Sequence, residues 1–173
     1  MNSNPSTYVL DNTVLTNFSR IERLDLLTAF SGNLCITREV RQEMEAGIAG
    51  SAKKDASLSQ RLAGTRELLA TGVIAVESPS SLDGLALYAE LQGGQVLGKG
   101  EISSMVLALE CGGIFVTDDE KAWKESKKRG VQVFGIDYLG TKWILRDLVA
   151  SSVITEQNFE ELRGLLSKNR YIF

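Results

Sequence analysis

Histidine is absent from the chain of 173 residues. Its absence excludes a Ser-His-Asp or Cys-His catalytic site, the zinc sites that use imidazole, and a histidine general base. Any catalysis must therefore rest on carboxylates, lysine, tyrosine, cysteine, or a metal ion held by oxygen atoms.

Cysteine and proline are scarce, with two residues of each. Cys35 and Cys111 are far apart, form no C-x-x-C pair and have apolar neighbours. This pattern predicts small buried thiols in a reducing compartment, so we expect a cytoplasmic protein. Pro5 and Pro79 are expected in loops, and no segment has the composition of a linker.

Long apolar runs are also missing, because no stretch of about 18 apolar residues occurs. We therefore expect no membrane partner. The N-terminal residues lack the basic segment and apolar core of a signal peptide. With a net charge of -3, the chain has no overall basic character, so nucleic-acid binding would require a local basic face.

Five short apolar runs alternate with helical patterns, and the length suits one α/β domain. Continuous apolar strands are typical of a parallel sheet that is buried on both faces. The prediction is a three-layer α/β/α sandwich with a mainly parallel five-stranded sheet, in one domain over residues 1–173. The strands are expected at 8–10, 34–36, 73–76, 114–116 and 131–134.

Several helices have recognisable ends. A helix is expected over 22–30, and Thr37 should cap another that runs to Met44 and ends before Gly47. Residues 51–72 look like a helical insert, and residues 136–173 form a C-terminal extension with extra helices.

Acidic residues follow two of the predicted strands: Asp11 after the first, and Asp118 and Asp119 after the fourth. Each acid alone can be explained as a helix N-cap or as a favourable charge in a first turn. If the sheet is parallel, however, these strand ends meet at one edge, where ligands of open α/β sheets bind.

Two glutamates add to this group. Glu43 borders the apolar helix face that carries Val40 and Met44, where a carboxylate must be paired, protonated or metal-bound. A salt bridge to Arg20 or Arg38 is the simpler alternative. Glu101 begins the most apolar helix, and it can equally be a charge that interacts with the helix dipole.

Together these acids predict an oxygen-lined cation site. Clustered carboxylates repel one another unless cations are present, and hard divalent ions prefer oxygen ligands. A pair of such ions can activate water and stabilise the attacking and leaving oxygens of a phosphodiester. This chemistry needs no histidine.

The sequence resembles the PIN-domain family of metal-dependent ribonucleases, which includes VapC-type toxins. The resemblance covers nearly the whole chain in the right order, on the segments 8–15, 36–43, 100–108, 115–119 and 130–135. It implies a Mg²⁺- or Mn²⁺-dependent ribonuclease, a homodimer, and a small antitoxin partner whose tail covers the acidic site.

The same resemblance assigns roles to individual residues. Asp11, Glu43, Glu101 and Asp119 match the catalytic and metal-binding acids, with Asp118 able to assist Asp119 as a further metal ligand. Thr13 and Thr117 match the hydroxyl residues that support the acids. Glu101 is similar to a subgroup with glutamate where many relatives have aspartate. That subgroup often has a second glutamate where Ser103 stands in this chain.

Lysines close to these acids in the sequence are candidates for RNA binding, because an acidic site repels RNA unless basic groups flank it. The candidates are Lys99, Lys121 and Lys124. The alternative is a solvated helix face on which lysines pair with Glu120 and Glu125.

The leading hypothesis is a metal-dependent endoribonuclease, the toxin of a toxin–antitoxin pair. A second hypothesis is a non-catalytic PIN-like module that binds RNA or protein. A third is an aspartyl-phosphate phosphotransferase with Asp11 as the nucleophile. That enzyme would be expected to have an aspartate two residues later, where Thr13 stands.

Overall fold

The computed structural model describes residues 6–94 and 97–173. Pro5 and the four residues before it lie outside the described residues, as does part of the glycine-rich loop before Lys99. The strands are β1 (Thr7–Leu10), β2 (Asn33–Thr37), β3 (Ile74–Glu77), β4 (Ile114–Val116) and β5 (Gln132–Val133).

The helices fill the intervals between the strands and form the C-terminal part of the chain. They are α1 (Asn12–Arg20), α2 (Asp25–Ala29), α3 (Arg38–Ala52), α4 (Ala56–Ala63), α5 (Thr65–Ala70), α6 (Leu82–Gly93), α7 (Lys99–Cys111), α8 (Glu120–Lys128), α9 (Gly140–Ala150) and α10 (Glu156–Lys168). None of those in the described ranges combines the length and apolar character that a membrane span requires.

The five strands form one parallel sheet in the order β3-β2-β1-β4-β5. The chain moves outward from β1 to β3 and then returns to the other side of β1 for β4 and β5. The direction of winding therefore reverses between β1 and β4, which is where open α/β sheets form their binding crevice. The predicted fold class, a three-layer α/β/α sandwich, is confirmed.

Side chains alternate between the two faces of the sheet and feed two hydrophobic cores. Leu10 and Val116 contribute to the larger core, whereas their neighbours Val9 and Phe115 point into the smaller one. The C-terminal helices α9 and α10 pack into the larger core through Ile144, Leu145, Leu148, Phe159, Leu162 and Leu166.

The helix after β2 is longer than expected. Thr37 caps it as predicted, by accepting a hydrogen bond from the Val40 N–H, but α3 continues through Gly47 to Ala52. Ile48 is buried under α4, and its carbonyl accepts a hydrogen bond from the Ser59 hydroxyl. These tertiary contacts offset the roughly 1 kcal/mol that a glycine costs within a helix.

Two further expectations are corrected. The predicted helix over 22–30 begins only at Asp25, because Glu22 adopts a left-handed backbone conformation with φ 57° and ends the preceding helical segment. Cys35 is buried as expected, whereas Cys111 is exposed at the end of α7.

Candidate active site

Asp11 lies at the centre of the candidate site, directly after the central strand β1. Its side chain is almost fully buried, at 1% exposure. Its Oδ2 atom accepts hydrogen bonds from the hydroxyls of Thr13, at 2.7 Å, and Thr117, at 3.3 Å. Burial raises the pKa of the Asp11 carboxyl above its ordinary value, although these hydrogen bonds oppose the rise.

Thr117 connects Asp11 to Asp119 across the two neighbouring strands. While the Thr117 hydroxyl donates to Asp11, its oxygen accepts a hydrogen bond from the Asp119 N–H at 3.0 Å. Asp119 itself caps α8, because its carboxylate accepts from the Ala122 N–H at 2.8 Å. Asp119 therefore caps α8 and is also linked to Asp11 through Thr117.

Glu43 reaches the same region from α3, which follows β2 on the other side of β1. Its Oε1 atom accepts a hydrogen bond from the Gly100 N–H at 2.9 Å. A Cβ atom at residue 100 would lie 2.5 Å from Glu43 Oε2. Glycine at position 100 is thus required for the carboxylate to rest against the first turn of α7.

Glu101 comes from that same turn of α7, and its Oε2 atom accepts a hydrogen bond from the Gly98 N–H at 2.8 Å. An added Cβ at Gly98 would lie 3.6 Å from Glu101 Oε2 and 4.0 Å from Glu43 Oε1. The two glutamates therefore converge on Gly98, although they are far apart in sequence.

The electric fields of the acids overlap. Burial, followed by the charges of Asp11, Asp119 and Glu43, raises the pKa of Glu101 to about 7. Burial also raises the pKa of Glu43, and the charges of Asp11 and Glu39 add to this rise. Four acids from separate stretches of the chain thus act on one another electrostatically.

Within the described part of the chain, no lysine or arginine nitrogen lies within 4 Å of these four carboxylates. The alternative of a salt bridge from Glu43 to Arg20 or Arg38 is therefore wrong. Over residues 6–94 and 97–173, however, no three acidic or cysteine side chains stand close enough together to hold one ion as they are. Glu43, Glu101 and Asp119 each accept a backbone N–H instead.

Comparison with known families gives one clear result. A family model described as a PIN domain matches residues 7–172. The chain belongs to the PIN-domain family. A search of curated proteins found no match. PIN domains are typically nucleases and generally use divalent metal ions.

The acids of this PIN domain fit a divalent cation by the chemistry of their donor atoms. They offer only carboxylate oxygens, which such ions prefer, and among the described residues no basic side chain lies within 4 Å of them. Holding one ion jointly would require Glu43, Glu101 and Asp119 to exchange their backbone N–H partners for the ion.

Asp118 has a different position from Asp119. Its carboxylate accepts hydrogen bonds from Asn17 Nδ2 at 2.9 Å, from the Thr141 N–H at 2.9 Å, from the Thr141 hydroxyl at 2.5 Å and from the Tyr171 hydroxyl at 2.8 Å. These donors belong to α1, α9 and the C-terminal segment. We therefore leave Asp118 out of the metal-binding set and describe it as the residue that joins these three parts of the PIN domain to β4.

Two residues near the site were not predicted. Glu39 lies one helical turn before Glu43, and its i, i+4 spacing could have identified it. Ser103 is fully buried, and its hydroxyl lies 2.7 Å from that of Thr37. The serine thus joins α7 to the end of β2 at the position where the subgroup often has a second glutamate.

The candidate RNA-binding lysines are all exposed. Lys124 forms an ion pair with Glu120 at 2.6 Å, as the alternative interpretation expected. Lys99 and Lys121 have no carboxylate partner within 4 Å among the described residues.

Asp118→Asn is expected to destabilise the PIN domain by about 1–3 kcal/mol. An amide would present an N–H to at least one donor that now faces a carboxylate oxygen, leaving buried groups unpaired. Chemical denaturation measures this decrease in stability. Asp83→Asn, at an exposed position on α6, is the control for this measurement. The Mn²⁺ affinity of Asp118→Asn should remain close to that of the unmodified protein. Abolished Mn²⁺ binding with unchanged stability would instead make Asp118 a ligand.

Glu101→Gln is expected to stabilise the metal-free protein above pH 7 by about 1 kcal/mol, because solvent screening at this partly exposed side chain reduces the effect of the pKa shift. The folded-state pKa of Glu101, about 7, lies above the unfolded value of 4.5, so the folded protein loses stability as the pH rises between these values. Thermal unfolding in EDTA from pH 4 to pH 8 should therefore show that the melting temperature of the variant rises above that of the wild type as the pH increases through this window.

Glu125→Gln is the matched control for that experiment. Its hydrogen bond with Arg129 lowers the pKa of Glu125, so this substitution should reduce stability at neutral pH. A Glu101→Gln effect that stays constant with pH would contradict the electrostatic explanation.

Proposed function

We propose that this PIN domain is a Mg²⁺- or Mn²⁺-dependent endoribonuclease. The observation that carries the proposal is the convergence of Asp11, Glu43, Glu101 and Asp119 beside the β1–β4 switch point, with no neutralising basic residue in the part of the chain that the structure describes. Asp11 and Asp119 would hold the ion, and Glu43 and Glu101 would complete the site or orient water.

A divalent ion in such a site lowers the pKa of water and offsets the negative charge that develops on a phosphodiester. The chain's own residues prepare the site for it. Thr13 and Thr117 fix the Asp11 carboxylate through two hydroxyls, and Gly100 leaves room for Glu43. Burial of Asp11 keeps bulk water from solvating it, which makes a cation a better partner.

Lys99 and Lys121 are the proposed RNA contacts closest to the acids in sequence. Both are exposed, and neither has a carboxylate within 4 Å among the described residues, so they remain available for phosphates. Lys124 is a weaker candidate because Glu120 competes for its ammonium group.

The toxin role is also part of the proposal, since VapC-type toxins belong to the same family. It implies an antitoxin and a homodimer. Two exposed leucines on the outer side of α6 are consistent with a protein partner: Leu82 is 86% exposed and Leu85 is 49% exposed. We place the reaction in the cytoplasm, in keeping with two free cysteines.

The second candidate is a non-catalytic module that binds RNA or protein. It is favoured by the backbone hydrogen bonds of Glu43 and Glu101, because both carboxylates would have to give up these bonds to bind a common ion. Calorimetric titration with Mn²⁺ separates the two functions. Binding that requires Asp11 supports the nuclease, whereas no binding at millimolar Mn²⁺ supports the module.

Asp11→Asn is expected to lower Mn²⁺-dependent cleavage of single-stranded RNA by at least about 100-fold, because it removes the central buried ligand. The fold should stay intact, because removal of one buried negative charge offsets the hydrogen bonds that the amide can no longer accept. A fluorescent RNA assay measures cleavage, and Asp83→Asn is the control. Equal cleavage by wild type and Asp11→Asn would contradict the proposed function.

Gly100→Ala tests the position of Glu43 without changing its charge. The added Cβ would collide with the end of the flexible Glu43 side chain, so the carboxylate must move while the helix tolerates alanine. Cleavage is expected to fall about tenfold, with stability changed by less than about 1 kcal/mol.

Gly50→Ala on α3 is the matched control, because an added Cβ there meets nothing within 4 Å. It should leave cleavage unchanged. Full activity of Gly100→Ala would show that the observed position of Glu43 is not needed for catalysis.

A further inference from the structure

A groove of about 410 Å³ begins beside the acids and runs between α1 and the C-terminal segment. We call it the tail groove, and its walls include Thr13, Thr16 and Arg20 on one side and Asn169, Arg170 and Tyr171 on the other. Thr13 is also the residue that donates to Asp11 at 2.7 Å, so the groove starts next to the candidate site.

The α1 wall presents polar groups along one helix face. Thr13, Thr16 and Arg20 follow the i, i+3, i+7 spacing of such a face. At 1.5 Å per residue, they extend about 10 Å away from Asp11. The wall thus leads from the acids to a guanidinium group.

The two arginines of the groove are not neutralised. Arg23, Arg61, Arg66, Arg129, Arg146 and Arg163 each pair with a carboxylate. Among the described residues, Arg20 and Arg170 have no carboxylate oxygen within 4 Å. The acid in the groove, Asp118, already accepts hydrogen bonds from Asn17, Thr141 and Tyr171.

Arg170 occupies a position that favours glycine. The Tyr171 N–H bonds to the Leu166 carbonyl and the Arg170 N–H to the Ser167 carbonyl, which is the Schellman arrangement at the end of α10. Arg170 has φ 69° in this turn. An arginine is conformationally unfavourable there relative to glycine, as are Glu22 and Ser152 at their own positive φ values.

From this geometry we infer that the tail groove binds the sugar–phosphate backbone of the RNA strand next to the cleavage point, with Arg20 and Arg170 contacting phosphates. The inference rests on the proposed ribonuclease function. Hydroxyl and amide groups suit phosphate and sugar oxygens, and the half-buried Tyr138 also lines the groove. A strand lying there would pass Thr13, the residue whose hydroxyl donates to Asp11.

The test uses Arg20→Gln, Arg170→Gly and the double variant, each also combined with Asp11→Asn so that RNA stays intact during binding measurements. Fluorescence anisotropy with a single-stranded RNA should show affinity about 3- to 10-fold lower for each arginine variant. The slope of log K against log salt should fall by about 0.7 for each phosphate that a variant no longer binds. Arg170→Gly should keep or raise the melting temperature, because glycine relieves the backbone conformation.

Arg41→Gln is the matched control. Arg41 also lacks a carboxylate within 4 Å among the described residues, but it lines a different groove on the outer side of α3. It should leave affinity and salt slope nearly unchanged. In proteins that retain Asp11, the groove variants should raise KM for RNA cleavage with little change in kcat.

The outcomes separate this inference from the function on which it rests. RNA cleavage and binding that do not depend on Arg20 and Arg170, or that depend equally on Arg41, overturn the groove and leave the nuclease intact. Arginine-dependent RNA binding without cleavage supports the groove and overturns the nuclease. No RNA binding by any form overturns both. Arginine-dependent binding of a polyglutamate peptide in place of RNA would assign the groove to an acidic protein partner and overturn its role in RNA binding.

Discussion

The structure depends most on the cost of placing negative charge at the end of the central strand. Asp11 is almost fully buried, and its partners are neutral hydroxyls rather than basic side chains. A buried carboxylate without a counter-charge is strongly unfavourable. The surrounding residues therefore have to compensate with hydrogen bonds, and Thr13 and Thr117 do so while also linking the start of α1 to the loop after β4.

Features that depend on local sequence could be predicted well. The strand positions, the cap at Thr37 and the placement of Asp11 and Asp119 at strand ends follow from apolar runs and cap residues within a few positions. The proximity of Asp11 and Asp119 follows from the parallel sheet, because the ends of neighbouring parallel strands share an edge. The fold class and the PIN-domain family are both confirmed on this basis.

Features that depend on distant partners could not be predicted. Asp118 and Asp119 are equivalent in sequence, yet the residues that donate to Asp118 lie 101 positions earlier and 23 and 53 positions further along the chain. The continuation of α3 beyond Gly47 similarly depends on α4, which packs on Ile48 and is not visible in the helix's own pattern. In both cases tertiary hydrogen bonds and burial override the local signal.

The division between Asp118 and Asp119 explains how one loop can serve stability and a charged site together. Asp118 directs its hydrogen-bonding capacity to α1, α9 and the C-terminal segment, which fixes the loop after β4. Asp119 can then stand near the other acids, although its charge helps to raise the pKa of Glu101 to about 7. Repulsion among the acids lowers stability at neutral pH, and the hydrogen bonds that Asp118 accepts from α1, α9 and the C-terminal segment help to offset this cost.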